Sequence, residues 1–418
     1  MKMSEKLWWE RTGLEYNNDS LNIGGVEAIT IANKFGTPTY VYDSARFVDN
    51  FNRISNALNN YADREIRIDY AMKANSSFDV LRLLRENGCK YIDVTSPGEA
   101  RIAIAAGYKN NDVMFTGTSV SDKTLEDLLR LGVFINVDSS SELRRLHHFH
   151  PDEMEISVRW NPGIGAGAYG DTITAGKEVK GKPIKFGIEE EKMEEFVMKA
   201  KSYGKKVVGL HQHIGSGWKG ADVNIFLETV DKTLAMERRI QEITGSPLRF
   251  VDFGGGPGIR YKKEDREFPI DVYAKGICDK VKESVLDFEA IEVEPGRYIV
   301  GDAGILLTEV NTVEEKNGNL IIGIDAGMHT LIRPKLYGAH HEIIPIKRNG
   351  NFGISTVAGP ICETGDLLAI KRYMEIPEEG DYLAFLCAGA YGYEMASNYN
   401  MWGLPERVII SDGNFKII

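Results

Sequence analysis

Lys73 stands inside Tyr70-Ala71-Met72-Lys73-Ala74-Asn75, at the end of the alternating run Ile66-Arg67-Ile68-Asp69-Tyr70. An ammonium at the tip of a buried strand is costly unless it is paired or used. Desolvation lowers a lysine's pKa and suits it to a Schiff base with an aldehyde, although a lysine snorkelling from a strand end reads the same way on this stretch alone. Gly254-Gly255-Gly256-Pro257-Gly258 follows the apolar stretch Val251-Asp252-Phe253. Residues without Cβ atoms let backbone N–H groups converge on an anion, or simply make a tight turn. No Gly-Lys-Ser/Thr follows, and Ile259 breaks G-x-G-x-x-G.

His211 and His213, in His211-Gln212-His213-Ile214-Gly215-Ser216-Gly217, share a strand face at i, i+2. That spacing raises a metal, but no further ligands are convincingly placed, so the expectation is no metal. A histidine stacked on a planar ring, with Gly215-Ser216-Gly217 offering phosphate contacts, fits better; a satisfied core histidine is the plain alternative. Glu294-Pro295-Gly296-Arg297 offers a carboxylate able to keep a pyridine nitrogen protonated and an arginine able to bind phosphate or carboxylate, or just a strand-end ion pair. Cys362, in Ile361-Cys362-Glu363-Thr364-Gly365-Asp366, is a candidate proton donor, with an inert buried thiol as the default. Arg333 and Tyr337 lie in a loop-like run, and Tyr391 in Gly389-Ala390-Tyr391-Gly392.

The elements that must position these groups alternate at βα spacing. Strand-like runs fall at 66–72, 91–95, 113–117, 133–138, 156–161, 207–213, 249–253 and 290–294, with helical patterns such as Phe78–Asn87 and Val223–Ile243 between some of them. Asp122 and Ser141 read as helix N-caps, and Gly88, Gly107 and Gly132 as helix ends. Eight βα units over roughly 260 residues predict a (β/α)8 barrel, whose active site lies at the C-terminal ends of its strands. Those ends are Lys73, Asp93, Arg159, His213, the glycine run and Glu294. An open doubly wound sheet would want a glycine fingerprint at its first turn, and none is there. After about residue 305 short β runs follow at Asn319–Asp325, Gly353–Ala358, Tyr382–Cys387 and Arg407–Ser411. The expected division is a barrel over 47–305 and a β domain, a sandwich or barrel, built from 1–46 and 306–418.

The bulk properties narrow the function. The chain has 418 residues and a net charge of −11, which disfavours nucleic-acid binding. Its four cysteines form no CxxC pair, as suits a reducing compartment. Met1–Glu10 lacks the apolar core of a signal peptide, and no run approaches the ~18 apolar residues of a membrane span. The expectation is a cytoplasmic protein without membrane partners.

Taken together, YAMKAN (70–75), HIGSG (213–217), GGGPG (254–258), EPGRY (294–298), DAGMHTLIRPKLYGAHHEI (325–343), CETGD (362–366) and GAYGYEMASNYN (389–400) resemble the fold type III pyridoxal-phosphate decarboxylases, the ornithine/diaminopimelate decarboxylase family. The likeness runs from about Gly36 to the C-terminus. It implies an alanine-racemase-like barrel, bound pyridoxal 5'-phosphate, and a carboxy-lyase of lysine biosynthesis acting on meso-diaminopimelate. The alternatives are another amino acid with a distal polar group (carboxynorspermidine, ornithine or another amino dicarboxylate), a racemase, or a non-catalytic homologue. It further implies that Lys73 carries the cofactor, His213 stacks on its ring and Glu294 pairs with the ring nitrogen. Ser216, Gly255, Gly256, Gly296, Arg297 and Tyr391 would surround the phosphate, and Asp93 and Arg159 the ring. Cys362, reaching across a homodimer, would return a proton. Arg297, Arg333, Tyr337 and Tyr391 would meet the substrate's distal carboxylate, and Glu363 its distal amine. Gly117–Asp122, Gly163–Lys185 and Met401–Pro405 depart from the family's usual pattern and bear on pocket shape.

Overall fold

The computed structural model describes residues 6–418. The first five residues of Met1–Glu10, and of the expected 1–46 segment, lie outside the described residues. The chain forms two compact units: one of Asn50–Ile259 and Arg266–Tyr298, the other of residues up to Asp49 with Arg260–Asp265 and Ile299–Ile418.

In the first unit eight parallel strands close into a barrel: β1 (Glu65–Ala71), β2 (Tyr91–Val94), β3 (Val113–Thr116), β4 (Phe134–Val137), β5 (Met154–Asn161), β6 (Lys205–His211), β7 (Phe250–Asp252) and β8 (Ala290–Val293). Each pairs with its neighbour in chain order, β8 with β1, and β4 with β5, so no edge is left in the ring. The alternation in β1 marks a strand, but both of its faces are covered from Ile68 onward. Met114, Val208, Phe250 and Ala290 form one apolar cluster, with Phe134 packed against it. Gly209 is needed here, because a Cβ would lie 2.2 Å from the Phe250 ring.

Helix starts are fixed by serine oxygens. Ser121 accepts from the Thr124 N–H and Ser139 from the Glu142 N–H, both from extended backbone. The caps therefore fall one and two residues before the expected Asp122 and Ser141, which sit inside their helices; a cap oxygen must come from a residue not yet helical. Gly132 ends its helix in the left-handed region, at φ +65°. Gly88 and Gly107 follow the cap residues Asn87 and Ala106.

The second unit is built on a sheet in the order Leu367–Glu375, Phe352–Ala358, Asn319–Ile324, Gly304–Lys316, Thr39–Asp43, Glu406–Ser411, Asn414–Ile417. Thr39–Asp43 thus joins the C-terminal strands, antiparallel to Gly304–Lys316 and parallel to Glu406–Ser411. The N-terminal segment is not β throughout, since Ala28–Phe35 is a helix that buries Ala28, Ile31 and Ala32. Among the described residues no helix is long and apolar enough to cross a membrane.

Candidate active site

Lys73 lies in a single 3-10 turn, Met72–Ala74, just past β1. The turn is held from both sides: the buried Tyr70 hydroxyl donates to the Asn75 carbonyl at 2.8 Å, and Asn75 Oδ1 accepts from the Ser77 N–H at 3.2 Å. Lys73 Nζ then meets Asp93 Oδ2, on β2, at 2.7 Å. The lysine side chain keeps 29% of its exposure while Asp93 has none. Burial and the charge of Glu294 push the Asp93 carboxyl up to about 7, against the pull of Lys73.

Glu294 follows β8 and is buried. Its Oε2 lies 3.3 Å from His211 Nε2, and its Oε1 has no partner among the described residues. Burial opposes its charge, but the His211 contact and the Lys73 ammonium hold the carboxyl well below the usual range. His213 falls beyond the end of β6, so it does not share a strand face with His211 as expected; the chain turns out of the strand between them. Its ring stays half-buried, and burial and then Lys73 push it well below the usual range, so the imidazole is neutral. Arg159, on β5, lies 3.8 Å from Asp138 and 4.5 Å over the Phe186 ring.

The glycines form a surface without side chains. A Cβ on Gly255 would lie 2.2 Å from the Glu294 carbonyl, one on Gly256 (φ +127°) 2.2 Å from the Trp218 ring, and one on Gly296 3.0 Å from Ala71 O. The N–H groups of Gly255, Gly256 and Gly296 donate no backbone hydrogen bond among the described residues. Arg297 Nη2 donates to Ser216 Oγ at 3.2 Å. Gly163–Lys185 lies along this cradle: the Ala166 N–H donates to Ile214 O, the Ala168 N–H to Ser216 O, and the Ser216 N–H to Thr172 O, at 2.9–3.1 Å. Asn161 ties the loop's two ends, taking the Gly163 and Gly176 N–H groups on Oδ1. Nothing in the sequence pattern marks that clamp.

The second unit holds a cluster of its own. Arg333 is 1% exposed. Its Nη1 is 2.9 Å from His341 Nε2, while His341 Nδ1 is 2.9 Å from the Leu386 carbonyl. A carbonyl only accepts, so Nδ1 carries the proton and Nε2 accepts from the guanidinium. Arg333 Nη2 is buried without a partner among the described residues, and the guanidinium carbon lies 5.1 Å from the Tyr261 ring centre. Tyr337 ends the short helix Arg333–Tyr337, half-buried. Cys362 is exposed rather than core, its Sγ 3.5 Å from Asn400 Oδ1. Glu363 accepts from the Tyr399 hydroxyl at 2.6 Å. The loop beneath them hangs on Asp366, whose carboxylate takes the Met328 N–H at 2.6 Å and the Ile361 N–H at 2.8 Å. Tyr391 adopts a positive φ of 56° beside the tightly packed Gly389.

The barrel cluster therefore offers an amine paired to an acid, a buried carboxylate with one oxygen unpartnered among the described residues, a neutral imidazole and an anion cradle. The second cluster offers an unpaired guanidinium edge, an exposed thiol and an acid.

Residues 45–301 match the family described as pyridoxal-dependent decarboxylase, pyridoxal binding domain. The diaminopimelate decarboxylase of Methanothermobacter thermautotrophicus is 40% identical over 95% of this chain and 92% of that protein. Among solved structures, diaminopimelate decarboxylase from M. jannaschii in co-complex with L-lysine superimposes with a TM-score of 0.87 at 31% identity, covering 97% of this chain and 94% of that one. The Helicobacter pylori enzyme complexed with L-lysine gives 0.85 at 31% identity, covering 93% and 95%.

Proposed function

The chain belongs to the family of pyridoxal-dependent decarboxylases, and from that membership we propose that it releases CO2 from meso-diaminopimelate to give L-lysine. The observation that carries the chemistry is Glu294: a buried, ionised carboxylate with one oxygen unpartnered, beside the Lys73 amine. Such an oxygen fits a protonated ring nitrogen, and the bare N–H groups of Gly255, Gly256 and Gly296 fit a phosphate.

Bound pyridoxal phosphate supplies the electron sink that loss of CO2 from Cα requires. The remaining tasks fall to this chain. Lys73 would hold the cofactor's aldehyde, with Asp93 paired to it at 2.7 Å. Glu294 would keep the ring nitrogen protonated, with Arg159 nearby, and the neutral His213 would cover a ring face. Ser216, Arg297 and Tyr391 complete the phosphate shell. Cys362 delivers a proton to Cα after CO2 leaves; its exposure suits a donor that must reach a substrate. Arg333, with Arg297, Tyr337 and Tyr391, takes the distal carboxylate, and Glu363 the distal amine.

The active form we propose is a cytoplasmic homodimer, with Cys362 and Glu363 presented to the substrate by a second copy. Met401, Trp402 and Leu404, at 87%, 56% and 53% exposure, leave an apolar run beside Asn400 that suits a protein partner. The functional barrel is assigned to 47–305 and the β domain to 1–46 with 306–418.

A substrate panel scored by CO2 release tests the reading. Turnover of meso-diaminopimelate well above that of ornithine, L-lysine and carboxynorspermidine is expected. Release from one of the others but not from meso-diaminopimelate overturns the substrate.

A further inference from the structure

Barrels of this type are ordinarily filled by layers of branched apolar side chains. Below the rim this one carries Arg67 and Asp69 from β1 and Glu292 from β8, beside Asp252 on β7. All three acids are buried, and one oxygen from each lies within 4.8 Å of the other two.

The hydrogen bonds in this layer leave a specific remainder. Glu292 Oε1 accepts from Arg67 Nη1 at 2.8 Å. Asp252 Oδ1 accepts from the Gly254 N–H at 2.7 Å. Asp69 Oδ2 and Asp252 Oδ2 are buried with no partner among the described residues. Carboxylate oxygens only accept, so two ionised aspartates cannot satisfy each other. A proton on either acid turns one of its oxygens into a donor, and an oxygen of each lies within 4.8 Å of one of the other. A metal ion would also suit oxygens, but it would lie against the fixed guanidinium already spent on Glu292.

We propose that Asp69 and Asp252 share one proton at neutral pH, and that this pair is a positioning device keeping the layer beneath Glu294 one charge less negative, so that Glu294 stays ionised. The charged and titratable groups facing the pair come from every side. They are Arg67 from β1, Asp93 from β2, Arg159 from β5, His211 from β6, Glu292 and Glu294 from β8, and Tyr273 from the helix Ile270–Ser284. Burial and the neighbouring acids push Asp69 and Asp252 well above the usual range and Glu292 up to about 7, so the proton has its most stable home in the pair.

The presence of the proton stands apart from the proposed function; only its effect on Glu294 rests on that reading. Infrared difference spectra of wild type minus D69N and wild type minus D252N, with cofactor bound and stripped, read the proton directly. Both differences are expected to show, at neutral pH, the carbonyl stretch of a protonated carboxyl that shifts in D2O. Should D252N not fold, D69N alone decides. In holoenzyme, D69N removes one of the two carboxyls that hold the proton, so the alkaline limb of kcat/KM moves upward by at least half a pH unit relative to wild type. Difference spectra without that stretch overturn the shared proton. So does about one equivalent of divalent metal in wild type that is lost in D69N. A stretch with an unmoved alkaline limb overturns the positioning role, whereas absence of CO2 release from any substrate, with the stretch intact, fails the proposed function and leaves the pair standing.

Discussion

Replacing Arg333 by methionine tests the assignment of the distal carboxylate most sharply. Arg333 is 1% exposed, with Nη1 committed to His341 Nε2 and Nη2 uncommitted. Methionine keeps much of the volume and removes the charge. A hydrogen bond to a charged partner contributes about 1.5–3 kcal/mol, and burial leaves no water to replace it. At about 1.4 kcal/mol per tenfold, KM for meso-diaminopimelate should rise roughly 10- to 150-fold, with a smaller change in kcat.

Inhibition by the product L-lysine, compared with its decarboxylated analogue cadaverine, separates this from general damage. L-lysine retains the distal amino-acid end of the substrate, whereas cadaverine has no carboxylate. The inhibition constant of L-lysine should therefore rise with KM while that of cadaverine stays within about threefold. Removing the guanidinium also strands the His341 acceptor, at a cost of about 1–3 kcal/mol of stability, so a thermal melt must show the variant folded at the assay temperature. Equal weakening of L-lysine and cadaverine would refute the reasoning.

Lys73→Ala should abolish CO2 release and leave no visible absorbance that borohydride removes; a wild-type chain lacking that absorbance as well would favour a non-catalytic homologue. Glu142→Gln should stabilise the fold at alkaline pH. Burial pushes Glu142 from its ordinary 4.5 up to about 7, so between those values the folded chain holds a proton the unfolded chain lacks, and stability falls as pH rises. The gain should reach at most ~3 kcal/mol above pH 7 and vanish below pH 4.5, read by chemical unfolding at several pH values. Gly256→Ala places a Cβ 2.2 Å from the Trp218 ring at φ +127°; strain of about 1–3 kcal/mol should weaken cofactor binding roughly tenfold or more, measured by titrating stripped protein with pyridoxal phosphate. Asp366→Ala strands the N–H groups of Met328 and Ile361 and should cost about 2–5 kcal/mol of stability, seen as a lower melting temperature.

The rim was legible because a barrel puts its chemistry at strand ends, and strand ends are marked by a change from apolar residues to glycine and charge. Lys73, Asp93 and Glu294 could be placed that way. The Asn161 clamp on Gly163–Lys185 could not, since an amide binding two N–H groups thirteen residues apart in a loop has no period. Nor could Gly304–Lys316, which runs from wholly buried Ile305–Leu307 into exposed Glu314–Lys316 without alternating. Arg333 was visible only as an arginine in a loop; its burial against His341 and Tyr261 comes from chain segments about 8 and 72 residues away.

The alternation in β1 carried more than its strand. Ile66, Ile68 and Tyr70 on one side, with Arg67 and Asp69 on the other, read as a strand with one face in water. In a closed barrel there is no such face: one side meets the helices and the other the interior. Arg67 and Asp69 turn to Glu292 and Asp252, so the polar half of the pattern marks the middle of the protein. A barrel filled this way gives up apolar packing beneath its rim, and in a low-dielectric interior each added charge there acts strongly on Glu294 two residues further along β8. The acids below and the amine above are therefore one electrostatic system, in which the ionised state of Glu294 depends on where the proton between Asp69 and Asp252 resides.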